Sequence, residues 1–401
     1  MRFILMVVLI DMLAVGIIVP VLPTIVGQFT ADAAEQARWY GIVATSYALA
    51  QFVAAPILGA LSDRYGRRPV LLLGFMGLAI NFFVTAMATA VWMLVASRVV
   101  GGMMQANAAV ANAYVADITP PQERARRFGL LGAMFGIGFI LGPVMGGLLG
   151  GIDIRLPFFV AGGLALLNLA YGWFVLPESL PPERRKPKAW WRANPLHSFQ
   201  ELAALRGVGL LVGVLALAGL AQFSLYTIWV LYGTHRYGWG PQESGWSLFA
   251  VGIVAAVVQG GLLGRLLKRF GAQRLAILGL LSSTLAFAAW GAATQNWMVY
   301  AIIFANILGG TVAASLQGLV SAAADEHVQG QTMGAVSSLN SLTAVIAPVM
   351  AAPLLVHMAA YPVADWRSGV PMFFCALLQG LALLLALVHA ARARPNAPMT
   401  P

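Results

Sequence analysis

Two ionisable residues stand inside long apolar runs, Asp11 in the first run and Arg98 in the fourth. A charge at that depth in a bilayer is costly and marks a functional site by default. Asp11 lies about nine residues into its run, which places it ~13 Å along a helix. Arg98 lies about eight residues in from the far end of its own run. Both are expected toward the bilayer middle, on helices that can be neighbours. A carboxyl group there can hold a proton when burial disfavours its charged form, or stay charged beside an arginine. Alternation between those states would couple proton movement to conformation, so Asp11 and Arg98 are the expected proton-coupling pair. A fixed structural ion pair is the bland alternative, and for Arg98 direct substrate contact stands level with tuning of Asp11.

Other polar side chains interrupt the apolar runs. Asn81, Gln105, Asn107, Gln222, Gln259, Asn306 and Gln317 either glue helices together by hydrogen bonds or line a substrate path. Tyr226, Trp229 and Phe223 with the pair Met103 and Met104 could form an aromatic, adaptable pocket. The expected substrate contacts are Asn81, Gln105, Gln222, Tyr226, Trp229, Gln259 and Gln317. No catalytic constellation accompanies them. Gly136-Ile-Gly138 sits inside an apolar run rather than after a strand, so it is no nucleotide fingerprint. A Gly-x-x-x-x-Gly-Lys-Ser/Thr loop is absent, which excludes ATP drive within this sequence. The histidines lack ligand spacing, and the one cysteine, Cys375, allows neither a disulfide framework nor a cysteine metal site. No enzyme, cofactor or metal is therefore expected.

The elements that must position these residues follow from composition. Of 401 residues, 60% are hydrophobic and only 9% charged, where a soluble domain would carry about a quarter charged. Apolar runs near 20 residues recur, each long enough to cross a ~30 Å hydrocarbon core as a helix. Alternating strand patterns are absent, which argues against a membrane barrel. The runs predict helices at 3–25, 38–60, 70–89, 91–115, 126–150 and 156–176, then at 207–231, 244–267, 272–293, 297–321, 332–357 and 370–391. Neighbouring helices can satisfy the backbone groups that Pro20, Pro56, Pro143 and Pro348 set free. The first run begins with Arg2 but is long for a signal peptide and carries Asp11, so it is expected to be a retained helix.

The net charge of +10 is punctuation between helices rather than a nucleic-acid surface. Arg64, Arg67 and Arg68, then Arg124, Arg126 and Arg127, then Arg265, Lys268, Arg269 and Arg274, all fall on one side, leaving Arg38, Arg155, Arg236 and Arg367 on the other. That asymmetry predicts both termini in the cytoplasm. Residues 177–206 are the longest polar, proline-rich stretch and predict a linker between a bundle at 1–176 and a second at 207–401. Trp190 and Trp191 beside basic residues suggest that part of it lies on the membrane surface. The halves look duplicated. Gly59-Ala-Leu-Ser-Asp63-Arg64-Tyr65-Gly66 recurs as Gly264-Arg-Leu-Leu-Lys268-Arg269-Phe270-Gly271, and Gly142-Pro143-Val-Met as Ala347-Pro348-Val-Met, both 205 residues on. That is the plan of a transporter with its site between two halves.

The loop Gly59 to Pro69, with Asp63, Arg64, Gly66, Arg67 and Arg68, resembles the loop motif between helices two and three of the major facilitator superfamily. Arg98-Val-Val-Gly-Gly102 resembles its fourth-helix arginine motif, and Gly138, Gly142, Pro143, Gly146 and Gly147 resemble the fifth-helix motif of its antiporter branch. More narrowly, the chain is similar to the tetracycline/proton antiporters over nearly its whole length. This similarity includes Val19-Pro-Val-Leu-Pro23, Tyr114-Val-Ala-Asp117, Pro157-Phe158-Phe159 and Leu316-Gln317-Gly318. It implies an all-α membrane protein of twelve helices in two pseudo-symmetric six-helix bundles. It also implies a working monomer in the inner membrane that exports a drug against protons, in which Asp63, Arg67 and Asp117 gate. Where those exporters carry aspartates this chain has Asn81 and Ser283, and where they carry a histidine it has Ala255. These departures favour a multidrug or single-natural-product exporter over one for magnesium-tetracycline, with Asp11 almost the only membrane carboxylate for coupling. A proton-coupled importer or metabolite exchanger on the same fold is the alternative, and the fifth-helix motif discriminates against it.

Overall fold

In the computed structural model, residues 2–105, 107–120, 123–185, 209–323 and 329–392 are described. Among them the regular structure is helical. The chain runs α1 (Arg2–Ile18), α2 (Leu22–Gly27), α3 (Ala33–Tyr65), α4 (Arg67–Ala86), α5 (Val91–Gln105), α6 (Asn107–Asp117), α7 (Arg124–Ile152) and α8 (Leu156–Val175). It continues as α9 (Gly209–Tyr237), α10 (Pro241–Val257), α11 (Leu263–Ala292), α12 (Asn296–Ala305), α13 (Val312–Ala323), α14 (Gln329–Ala359) and α15 (Val370–Arg392). Nine helical stretches among the described residues are long and apolar enough to cross a membrane, and Phe3–Ile18 is a shorter apolar helix. One of the nine, Pro241–Ala292, has 52 residues and leaves helical geometry at Gly271, with φ 74° and ψ 160°. It is thus two spans, as expected on either side of position 271. The fourth expected helix is α5 and α6, one on each side of residue 106.

Three expected helices are locally broken. The first is split by a turn at Val19–Val21, where Pro20 lacks the N–H that a continuing helix needs. Gln36 of α3 donates from Nε2 to the Pro23 carbonyl at 2.8 Å and so ties down α2. Residues Val258–Leu262 form one turn of π-helix that contains Gln259, and such bulges frequently mark functional sites. Asn306–Thr311 tightens to a 3₁₀ turn in which Gly309 lies against Asn306 and Ser283. The entry to α3 is a capping box: Asp32 Oδ1 accepts from the Glu35 N–H and Glu35 Oε2 from the Ala31 N–H, both at 2.7 Å, stabilising the start by ~1 kcal/mol.

Two compact units emerge. One draws its described residues from Met1–Asn194 and Gly233–Gly252, the other from Pro195–Tyr232 and Ile253–Pro401. The stretch Gly233–Gly252 thus groups with the first unit, because a Cβ on Gly245 of α10 would stand 2.5 Å from the Pro143 carbonyl of α7. The first core contains Leu71, Phe75, Ala111, Val115 and Leu131, and the second contains Ala276, Leu280, Leu316, Val320 and Val336. Each of these pairs is separated by the 205 residues that separate the sequence repeats. Gly66 and Gly271, also such a pair, both take positive φ, 104° and 74°, where a Cβ would be strained. The duplication is therefore one of core positions and backbone turns as well as of letters.

Candidate functional site

The first unit assembles a buried polar group around α1, α3, α4 and α5. Asp11 is 7% exposed, Arg98 8%, Gln105 5% and Asn81 2%. Gln105 donates from Nε2 to Asp11 Oδ2 at 3.4 Å. Arg98 and Gln105 share α5 with Gly101 and Gly102, so two polar side chains flank a gap on that helix. The gaps are used: a Cβ on Gly101 would stand 2.8 Å from the Asn81 amide nitrogen, and one on Gly102 would meet the Tyr47 carbonyl of α3. The Arg98 guanidinium carbon lies 5.8 Å from the centre of the Tyr47 ring, with Tyr40 also close by. A direct Asp11–Arg98 ion pair is not what holds the group together. Asp11 is bonded through Gln105, while Arg98 leaves Nε and Nη2 without a hydrogen-bond partner among the described residues. Met104 packs over Gly77 of α4, whereas Met103 is 42% exposed.

A second cluster sits where α3 turns into α4. Arg67, 8% exposed, binds Asp63 from Nη1 at 2.5 Å and Asp117 from Nε at 3.0 Å, and Nη1 also donates to Ser62 Oγ at 2.6 Å. Gly66 allows the turn, and Gly59, which has open space where a Cβ would stand, accepts from Ser62 Oγ at 2.7 Å. Arg64 lies over the Tyr65 ring at 5.0 Å, outside the ion-pair chain. Glu178, just past α8, completes the cluster. Its Oε1 accepts from the Arg67 N–H at 2.9 Å and its Oε2 from the Arg68 N–H at 3.3 Å. A carboxylate is thus placed on the positive end of α4, where the local Gly66 has no side chain to cap it. Ser179 donates to Asp117 Oδ2 at 3.2 Å, and Arg68 Nη2 to the Trp173 carbonyl at 2.5 Å. Glu178 and Ser179 were not among the expected site residues. Tyr40 and Tyr47 were missed for another reason: on an apolar helix nothing in the sequence marks which face a tyrosine lies on.

The five α7 motif residues divide between two neighbours. Cβ atoms on Gly138 and Gly142 would stand 3.0 Å from the Leu13 nitrogen and 2.7 Å from the Gly16 Cα of α1, and one on Gly146 would fall on the Ile17 carbonyl. On the other face, a Cβ on Gly147 would stand 2.7 Å from the Pro241 carbonyl of α10. Four-residue spacing of glycines lets two backbones approach, as in small-xxx-small membrane contacts, and it sets the position of the helix that carries Asp11.

In the second unit the expected contacts are spread over three segments. Gln222, Tyr226 and Trp229 share α9, with Tyr226 53% exposed and packed edge-on to Phe223 at 6.2 Å. Trp229 is 5% exposed and lies edge-on to Trp290 at 4.8 Å. Gln259 is exposed on the π turn and Gln317 half-buried on α13. Ser283 is buried on α11, one turn from Phe287.

The chain matches the Major Facilitator Superfamily over residues 4–348. It is 37% identical to the class C tetracycline resistance protein of Escherichia coli over 368 residues, 92% of each chain. It is 32% identical to the class B protein of the same organism over 384 residues, 95% of each. Among solved structures it is similar to a bacterial homologue of the human lysosomal transporter Spinster in an inward-facing, unoccupied conformation. The TM-score is 0.79 at 16% identity, covering 97% of this chain and 96% of that one.

Proposed function

The chain belongs to the Major Facilitator Superfamily, and on that premise we propose that it exports a lipophilic drug or antibiotic, tetracycline-like or multidrug, in exchange for protons. The observation that carries this reading is Asp11, a carboxyl group buried in the first helix and bonded to Gln105 rather than locked in an ion pair. It can therefore gain and lose a proton without breaking a salt bridge. The tetracycline resistance relatives support the substrate class. Transport proceeds by alternating access, with the bundle at 1–176 rocking against the one at 207–401 and a monomer doing the work. The basic rim supports an orientation with both termini in the cytoplasm and the helices across the inner membrane. Facing out, Asp11 takes a proton and substrate leaves; facing in, it gives the proton to the more alkaline cytoplasm. Proteoliposomes test this directly. Tetracycline or a cationic dye should drive proton release that empty liposomes lack, and no release with any compound of the panel would overturn the drug-export reading.

The Asp63–Arg67–Asp117 cluster would gate the inner face. Arg67 gives two N–H groups to two carboxylates, and opening must break at least one of those bonds. Asp63→Asn is expected to lower turnover about tenfold while substrate affinity moves by less than about threefold, the signature of an interaction that differs between states. Stopped-flow efflux together with equilibrium binding reads both. Lost affinity with normal turnover would rule out the gating role.

A further inference from the structure

Arg98 is a buried charge that no ion pair compensates among the described residues. Its guanidinium is 8% exposed, and Nε and Nη2 lack a hydrogen-bond partner among the described residues. Those two nitrogens form one edge of the planar fork, with parallel N–H groups spaced to grip two oxygens at once. Two acceptors in the same buried polar group are likewise unmatched. Asn81 Oδ1 and Gln105 Oε1, on side chains 2% and 5% exposed, have no partner. Asn81 is held toward α5 by the gap at Gly101, and Gln105 by its bond to Asp11. The ring of Tyr47 supplies a flat wall 5.8 Å from the guanidinium carbon. A buried cation without a counter-ion costs several kcal/mol, and a membrane protein keeps one where a ligand or an ion path needs it.

We infer that Arg98, Asn81 and Gln105 form a substrate subsite for a planar pair of anionic oxygens, a carboxylate or an enolised 1,3-dicarbonyl. The free edge of Arg98 takes the two oxygens, and the two amide carbonyls take donor hydrogens beside them. Asp11 stays available to carry the proton. This rests on the drug-export reading and narrows it: among lipophilic cargoes, those that bear an acidic oxygen pair gain affinity from Arg98 that a plain lipophilic cation does not.

Equilibrium binding to the purified, detergent-solubilised full chain tests the assignment with three probes. Tetracycline offers an enolised 1,3-dicarbonyl, norfloxacin a carboxylate beside a ketone, and ethidium neither. Arg98→Lys keeps the charge and removes the fork; Arg98→Gln removes both. For each variant the loss of affinity for tetracycline or norfloxacin is expected to exceed the loss for ethidium at least tenfold, with Arg98→Lys unable to rescue. Thermal unfolding of each variant reports on folding. Equal losses for all three probes, or undiminished tetracycline and norfloxacin binding in either variant, would overturn the subsite. So would a wild type that binds ethidium but neither oxygen-pair probe, although drug export would then stand. A wild type that binds none of the probes and releases no protons overturns both.

Discussion

Replacing Asp11 by asparagine is expected to abolish drug accumulation driven by a pH gradient in inverted vesicles, down to the level of vesicles without the protein. The substitution is close to isosteric, and an amide can still accept the Gln105 N–H that reaches Asp11 Oδ2 at 3.4 Å. Packing around a site 7% exposed is therefore kept, and equilibrium drug binding should stay within about threefold of wild type. What is lost is the exchangeable proton. A transporter can harvest a gradient only if some group in the transport path is protonated on one side and deprotonated on the other. Among the described residues the first unit offers no second carboxylate within its helix interiors, since Asp63 and Asp117 belong to the Arg67 cluster at the basic end. Asp11→Glu should retain a measurable part of the accumulation. Gradient-driven uptake that persists in Asp11→Asn would show that another group carries the proton.

Most of what positions Asp11 was legible because membrane helices are written locally. Apolar runs must satisfy their own backbone in lipid, so hydropathy located the spans, and a lone acid in such a run located itself. The turn at Val19–Val21 was signalled by Pro20 but not resolved by hydropathy, since the residues around it are as apolar as the helix. Glu178 was illegible for a different reason. In the sequence it opens a proline-rich polar stretch and reads as linker, yet it caps α4 across 111 residues of chain. Nothing in its neighbourhood announces that Gly66 leaves a helix start without a local cap. Arg98 fell between the two cases: its depth was plain, whereas the identity of its partners was not. Arg98 lies over the Tyr47 ring while Asp11 is bonded to Gln105, and both placements depend on how α1, α3 and α5 turn toward one another. The repeats were readable as motifs, but the match of Leu71 with Ala276 and Phe75 with Leu280 conserves position and burial rather than residue type. The Arg67 cluster shows the limit of the duplication. Lys268 stands where Asp63 would recur and Ala272 where Arg67 would, so the Asp63–Arg67 pair has no counterpart in the second repeat.

The largest effect on folding is expected at Gly146. A Cβ there would fall on the Ile17 carbonyl oxygen, which is backbone and cannot swing aside. The neighbouring contacts give no slack, since Gly142 already lies against Gly16 and Gly138 against Leu13. Valine at position 146 must therefore push α1 and α7 apart along their length, and α1 carries Asp11. Overpacking of this kind costs ~1–3 kcal/mol or more, and here the helix can yield only by breaking the glycine contacts on either side. Gly146→Val is expected to lower the thermal midpoint in detergent by more than about 5 °C and to reduce the yield of monodisperse protein. Gly136, on the same helix, is the internal control, because a Cβ there meets nothing within 4 Å. Gly136→Ala removes a flexible residue from a helix interior and should be neutral, or stabilising by up to ~1 kcal/mol. The contrast separates helix propensity from close approach. A Gly146→Val midpoint within about 2 °C of wild type would mean that α1 and α7 are not in the contact described, and that Asp11 is positioned by something else.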